Sequence, residues 1–317
     1  MSHFADRIVT ALEAKGNALC VGLDPRWDDL PRSIREKHGT DGLDQPAAAY
    51  EEFCARVIDL VAPLVPVIKL QSAFFEACGP AGFAAQQRLL RTARERGLLT
   101  ILDAKRNDIG STAEAYAAAA FEGTEFAGRL HPVWDADALT VNPYLGRDAV
   151  EPFLARARRA GRGVFVLVRT SNPGARLFQD LDCGGRPLFH HVGAAVLDWA
   201  RERLGASGFG DVGAVVGATY PAELVDLRRL LPEVLFLVPG FGAQGGTAAD
   251  VAAAFRPDGL GALVSSSRGI TRSFHPNDVN WEAAILSSVR LAIQNLAEST
   301  PMGKLAKSTH LLPNLPS

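Results

Sequence analysis

The chain has 317 residues, of which 47% are hydrophobic and 21% charged, a balance that supplies a large apolar core and excludes a disordered polypeptide. A formal net charge of −2 excludes the concentrated basic surface used for nucleic acid or an anionic membrane, so any anion must be met locally. No apolar run approaches the length of a membrane span, and the opening Met1-Ser2-His3-Phe4-Ala5-Asp6-Arg7 lacks the basic-then-apolar order of a signal peptide, so a cytoplasmic protein is expected.

From the N-terminus onward, short apolar runs alternate with Ala-, Leu- and Arg-rich segments of helical period, the pattern of parallel strands joined by crossover helices. A strand over 18–23 runs into Asp24-Pro25, and a helix over 46–62 leads to a strand over 65–70 that carries Lys69 and meets Gln71. A helix over 82–97 precedes a strand over 98–102, which runs into Asp103, Lys105 and Asp108. Next come a helix over 113–127, a strand over 138–141 ending at Asn142-Pro143, a helix over 148–160 and a strand over 164–168 ending at Arg169-Thr170-Ser171. The last three strands, 212–216, 234–238 and 260–264, are separated by helices over 221–230 and 247–256 and follow a helix over 194–204. They end at Thr219, at Pro239-Gly240 and in the run from Ser265 to Gly269.

Eight strands that each finish in polar or turn-forming residues predict an α/β fold, a single (β/α)8 barrel over residues 1–297 with one shared site at the strand C-termini. The alternative, an open doubly wound sheet, would carry a glycine-rich phosphate turn after its first strand, where this chain has Gly22-Leu23-Asp24-Pro25. Two stretches exceed a minimal barrel. Residues 174–190 are expected to form a long loop and a lid, and residues 298–317, with Pro301, Pro313 and Pro316, an extension outside the core. The cysteines Cys20, Cys54, Cys78 and Cys183 form no C-x-x-C pair, which points to neither a zinc site nor a disulfide framework.

The densest chemistry is Asp103-Ala104-Lys105-Arg106-Asn107-Asp108-Ile109-Gly110-Ser111-Thr112. Strand alternation places Asp103 and Lys105 on one side with Ala104 turned away, Lys69 on the neighbouring strand beside them and Asp108 just beyond. A structural ion-pair network is the simplest use of such charges, but partly buried arrays are costly without good geometry or a function. Carboxylates flanking an ammonium favour its charged form, so Lys105 is expected to act as an acid, not as an amine nucleophile. The loops after the seventh and eighth strands are the usual phosphate site of a barrel. Here they supply glycine amides including Gly269, the carboxamide of Gln244 and the guanidinium of Arg268, suited to a bidentate pair. Thr170 and Ser171 are either ligands or turn residues before Asn172-Pro173-Gly174. His131, His190 and His191 have no acidic or histidine partner at a recurring ligand spacing, so no metal is expected.

The motif Asp103-x-Lys105-x-x-Asp108-Ile109-Gly110-x-Thr112 resembles the signature of the orotidine 5′-phosphate decarboxylase family, and the likeness extends over nearly all eight strands. The segments Cys20-Val21-Gly22-Leu23-Asp24-Pro25, Lys69-Leu70-Gln71-Ser72-Ala73-Phe74-Phe75-Glu76 and Arg169-Thr170-Ser171-Asn172-Pro173-Gly174 resemble its longer bacterial subgroup. The resemblance implies conversion of orotidine 5′-phosphate to UMP without a cofactor, Lys105 protonating C6 while Asp103 lies close to the departing carboxylate. It further implies that Lys69 and Asp24 hold ribose hydroxyls and Ser171 the pyrimidine edge. Asp108, Ile109 and Thr112 would reach into the partner's site of a homodimer. Some members carry a tyrosine in the loop after the seventh strand, and this chain does not. Two rival readings stay open. One is a Mg2+-dependent sugar-phosphate decarboxylase or synthase of the same superfamily, which places an extra carboxylate where this chain has Lys69. The other is a non-catalytic nucleotide-binding barrel.

Overall fold

Strands covered on both faces must be apolar along their length, and this is how the barrel is built. The computed structural model describes residues 2–242 and 245–308. Eight parallel strands, β1 (Leu19–Leu23), β2 (Val67–Gln71), β3 (Leu99–Arg106), β6 (Ala138–Val141), β7 (Gly163–Arg169), β8 (Val212–Val216), β9 (Phe236–Pro239) and β10 (Ala262–Ser266), close in the order β1-β10-β9-β8-β7-β6-β3-β2. The sequence predicted this single (β/α)8 barrel. The last two strands begin two residues later than the apolar runs at 234 and 260, because Val234, Leu235 and Leu260 are apolar residues of the approach to each strand.

The predicted helix over 113–127 is corrected by the structure. The helix is Gly110–Ala120, and the chain then makes an antiparallel hairpin of β4 (Thr124–Phe126) and β5 (Arg129–His131). Gly123 and Gly128 adopt left-handed φ values of 105° and 75°, which turn the backbone out of any helical path. The segment after β7 is likewise less irregular than expected, with a 3-10 turn at Pro173–Ala175, a short helix at Arg176–Gln179 and the next crossover helix starting at Leu188.

An N-terminal helix, Phe4–Lys15, plugs the strand N-termini. Phe4 meets Phe165 edge-on at 6.1 Å, and a side chain at Gly163 would place its Cβ 2.1 Å from the Phe4 ring, so glycine is required at that close approach. Arg7 and Arg162 both reach the buried Asp137, which also accepts hydrogen bonds from the amide and hydroxyl of Thr100.

The boundary expected at 297/298 is also corrected. It falls inside the helix Trp281–Ser299, and beyond it Met302 and Leu305 are buried members of the core. The Ala18 amide donates to Met302 Sδ at 3.1 Å. Two apolar residues among polar neighbours are too sparse to read as a packing face, although each covers the barrel's base. Residues 309–317 lie outside the described residues. Cys20, Cys54 and Cys78 are buried, Cys183 is exposed, and all four are free thiols. No helix among the described residues is long and apolar enough to cross a membrane.

Candidate active site

The strand C-termini open into a cavity of about 520 Å3 whose lining includes Asp24, Lys69, Asp103, Lys105, Thr170, Ser171 and Arg268. β2 pairs with β3 so that Gln71 lies opposite Asp103. Lys69 and Gln71 are two residues apart and point to the same side. Both reach one oxygen of Asp103: Lys69 Nζ donates to Oδ2 at 2.8 Å and Gln71 Nε2 at 3.1 Å.

Asp103 and Lys105 do come together, but not by simple alternation. The β3–β6 register shifts between Leu102 and Arg106, and Lys105 takes a left-handed φ of 47°, a conformation sparsely allowed for a residue with a Cβ. Thr140 of β6 stabilises this bulge: its Oγ1 accepts the Lys105 amide at 2.9 Å and donates to Asp103 Oδ1 at 2.8 Å. Lys105 Nζ then meets the same Oδ1 at 2.7 Å. Thr140 carried no functional signal in the sequence beyond being a hydroxyl in an apolar run.

The exposures of the three charges differ. The side chains of Lys69 and Asp103 are 6% and 9% exposed, whereas that of Lys105 is 45% exposed. Burial alone would push the Lys69 ammonium toward neutrality, but the Asp103 and Asp24 carboxylates hold its pKa above the ordinary lysine value. Burial would likewise raise Asp103, but the two ammonium groups hold it well below the usual carboxylate range. Asp24 Oδ1 lies 3.7 Å from Lys69 Nζ and is buried with no hydrogen-bond partner among the described residues, an acceptor placed for a hydroxyl of a ligand.

Within one chain the cluster brings together Lys69, Asp103 and Lys105 as expected, with Asp24 beside Lys69. Asp108, Ile109 and Thr112 do not line their own chain's cavity. The bulge and the turn into Gly110–Ala120 carry them outward, with Asp108 Oδ1 accepting the Ile109 amide at 2.8 Å and Ile109 58% exposed. At the opposite rim Arg268 opens a short helix and is exposed, with no acidic partner among the described residues, and Gly269 follows it without lining the cavity. Pro239, Gly240 and Phe241 line the same end. Gln244 lies outside the described residues.

Sequence reasoning passed over Gln179, which lines the cavity and bonds Thr170. The histidines serve other purposes: His190 pairs with Asp226 at 2.6 Å, His191 bonds the Cys183 carbonyl, and His131 ends the hairpin. Among the described residues no group of three His, Cys, Asp or Glu side chains is placed to hold a metal ion.

The model of the Orotidine 5′-phosphate decarboxylase / HUMPS family matches residues 17–280. The chain belongs to this family. It is 47% identical over 295 residues to an orotidine 5′-phosphate decarboxylase of Rhodopirellula baltica, covering 90% of this chain and 96% of that protein. It is 36% identical over 303 residues to one of Caldicellulosiruptor bescii, covering 94% and 98%. The solved OMP decarboxylase of Leishmania donovani superposes with a TM-score of 0.69 at 34% identity, over 93% of this chain and 99% of that one.

Proposed function

We infer that this protein is a carboxy-lyase that converts orotidine 5′-phosphate to UMP and CO2 in pyrimidine biosynthesis. The observation that carries the reading is the charge cluster: one buried carboxylate, Asp103, clamped between a buried ammonium, Lys69, and a solvent-reaching one, Lys105. When the bond between C6 and the carboxylate breaks, its electron pair stays on C6 in the plane of the ring, out of reach of the π system. A fixed ammonium beside it stabilises that charge and then gives it a proton, combining electrostatic preorganisation with general acid catalysis. In this reading Lys105 Nζ supplies the proton and regains it from water.

The remaining roles follow from position. Asp103 holds Lys105 and lies beside the departing carboxylate. Lys69 and the unmet Oδ1 of Asp24 take ribose hydroxyls, Thr170 and Ser171 face the base, and Arg268 with Gly269 and Gln244 grips the phosphate, the usual duty of these barrel loops. Asp108, Ile109 and Thr112 complete the site of a second copy in a cytoplasmic homodimer. Their outward placement supports this, as do the exposed apolar and aromatic side chains of Tyr116, Tyr144 and Leu145. All of the chemistry is assigned to side chains, with no cofactor. A magnesium-dependent sugar-phosphate reaction is disfavoured because Lys69, 2.8 Å from Asp103, puts a cation where a divalent ion would need a carboxylate.

The test is formation of UMP from orotidine 5′-phosphate by purified protein in the presence of a chelator. Turnover that needs added Mg2+ would favour the sugar-phosphate relatives, and tight nucleotide binding without turnover would favour a binding barrel.

A further inference from the structure

The segment after β7 has almost no apolar anchorage. Between residues 173 and 187 its large apolar side chains, Leu177, Phe178 and Leu181, are 69%, 59% and 51% exposed, and only Ala175 is buried. So little packing leaves low local stability, and the segment must be held by other means. Arg169, the last residue of β7, holds it. This arginine is fully buried, with its guanidinium between the rings of Phe189 at 5.0 Å and Tyr220 at 4.7 Å. Two of its nitrogens grip Glu223 in a bidentate pair. The third meets the segment itself, Asp180 Oδ1 at 2.6 Å and Gln179 Oε1 at 3.4 Å. The planar fork makes these contacts possible at once, which an amine could not do.

Gln179 is the residue this clamp turns inward. Its Oε1 also accepts the Thr170 amide at 3.0 Å, and its Nε2 donates to Thr170 Oγ1 at 2.8 Å. That hydroxyl donates onward to Asn172 Oδ1 at 2.6 Å. A backbone amide and a guanidinium can only donate, so the carboxamide oxygen must face them and its nitrogen must face Thr170. A carboxamide nitrogen carries two N–H groups. Thr170 takes one, no acceptor for the other stands among the described residues, and Gln179 lines the cavity. With its own proton engaged by Asn172, Thr170 is left as an acceptor on this side of the site.

The geometry points to Gln179 as a substrate-contacting residue, its second N–H donating to a ring carbonyl of the pyrimidine, and to Arg169 as the positioning residue that holds it there. The assignment rests on the decarboxylase reading above. A pyrimidine-2,4-dione presents carbonyl oxygens on its edge, which a fixed N–H donor recognises and which the sugar phosphate alone cannot offer.

The test measures turnover of orotidine 5′-phosphate, together with equilibrium binding of UMP and of ribose 5-phosphate, which lacks the base. Gln179→Ala is expected to weaken UMP about tenfold, the loss of one hydrogen bond in a desolvated site, while ribose 5-phosphate binds as before. Arg169→Lys keeps the charge but loses the fork and should reproduce that pattern. The double variant should be no weaker than Gln179→Ala, because Arg169 acts through Gln179. Equal weakening of both ligands, or losses that multiply in the double variant, would overturn the assignment. If Arg169→Lys does not fold, the two ligands on Gln179→Ala decide the matter. A wild-type protein that leaves orotidine 5′-phosphate unchanged would refute the decarboxylase reading itself. Wild-type turnover with unaltered UMP binding by Gln179→Ala refutes the Gln179 assignment alone.

Discussion

Lys105 combines a strained backbone with an exposed side chain, and substitutions there should separate catalysis from stability. At φ 47° a residue with a Cβ is disfavoured by roughly 1–2 kcal/mol. Glycine removes that strain but adds about 0.4–1 kcal/mol of freedom to the unfolded chain. Lys105→Gly should therefore be more stable than Lys105→Ala by about 0.5–1 kcal/mol. Both lose the ion pair to Asp103, but the Lys105 side chain is 45% exposed, so that pair is worth at most about 1 kcal/mol after solvent screening. Neither variant should melt more than a few degrees from wild type. Activity should behave differently. A general acid contributes about 10²–10⁴ in rate and a preorganised charge about 10²–10³. A single group that supplies both should cost at least about 10⁴ in kcat, roughly 5 kcal/mol. Thermal melts and the absorbance change on decarboxylation read the two quantities on the same preparations. A kcat within tenfold of wild type would remove Lys105 from the chemistry, and an alanine variant as stable as the glycine one would refute the strained bulge.

The other expectations concern the rest of the cluster, the phosphate end, the base of the barrel and the partner. Asp103 is held below the usual carboxylate range, so its contribution to stability is complete above about pH 4 and is lost as pH falls through the folded-state value. Asp103→Asn, which leaves Lys69 buried without its partner, should cost about 3–5 kcal/mol in urea unfolding at neutral pH and flatten that acid limb. Arg268→Ala should damage turnover of the phosphorylated substrate far more than that of the free nucleoside, since remote phosphate binding supports the reacting end. Equal losses would place the phosphate elsewhere. Met302→Ala should lower stability by about 2–5 kcal/mol without altering kcat, whereas an unchanged melt would mean that the segment beyond Ser299 does not seal the barrel. If the proposed homodimer shares its sites, subunit exchange between the Lys105→Ala and Asp108→Ala proteins makes about half the dimers mixed, each with one intact site. Activity should then return to roughly a quarter of wild type, and verified exchange without recovery would place Asp108 in its own chain's site.

The barrel was legible because its buried parallel strands begin as apolar runs and each run gives way to polar or turn-forming residues, as at Leu23-Asp24, Leu102-Asp103 and Val141-Asn142. What could not be read is conformational. Alternation suggested that Asp103 and Lys105 share a face, but their meeting depends on a bulge held by Thr140 across a strand boundary, and no spacing rule within β3 encodes it. The hairpin at β4 and β5 was hidden because Gly110–Ala120 is so rich in alanine that its composition masks where the helix ends. Gln179 was invisible because its importance comes from Arg169, ten residues back in the chain and brought beside it only by the fold.

The two lysines around Asp103 are not equivalent, and their hydrogen bonds favour Lys105 as the acid of the proposed reaction. Oδ2 accepts Lys69 and Gln71, and Oδ1 accepts Lys105 and Thr140. Each oxygen is thus met by one ammonium and one neutral donor, which fixes the carboxylate in place and opposes its taking up a proton. Asp103 can then neither donate nor relay a proton to C6. Lys69 is buried, and its proton is held by Asp103 with Asp24 close by; giving that proton away would leave two buried carboxylates facing a neutral amine. Among the described residues Lys105 is paired with Asp103 alone, its side chain is 45% exposed, and water can therefore reprotonate it after each turnover. In the proposed reaction the cluster is a buried pair that fixes the field beside an exposed ammonium, and the bulge at φ 47° is what turns that ammonium into the cavity.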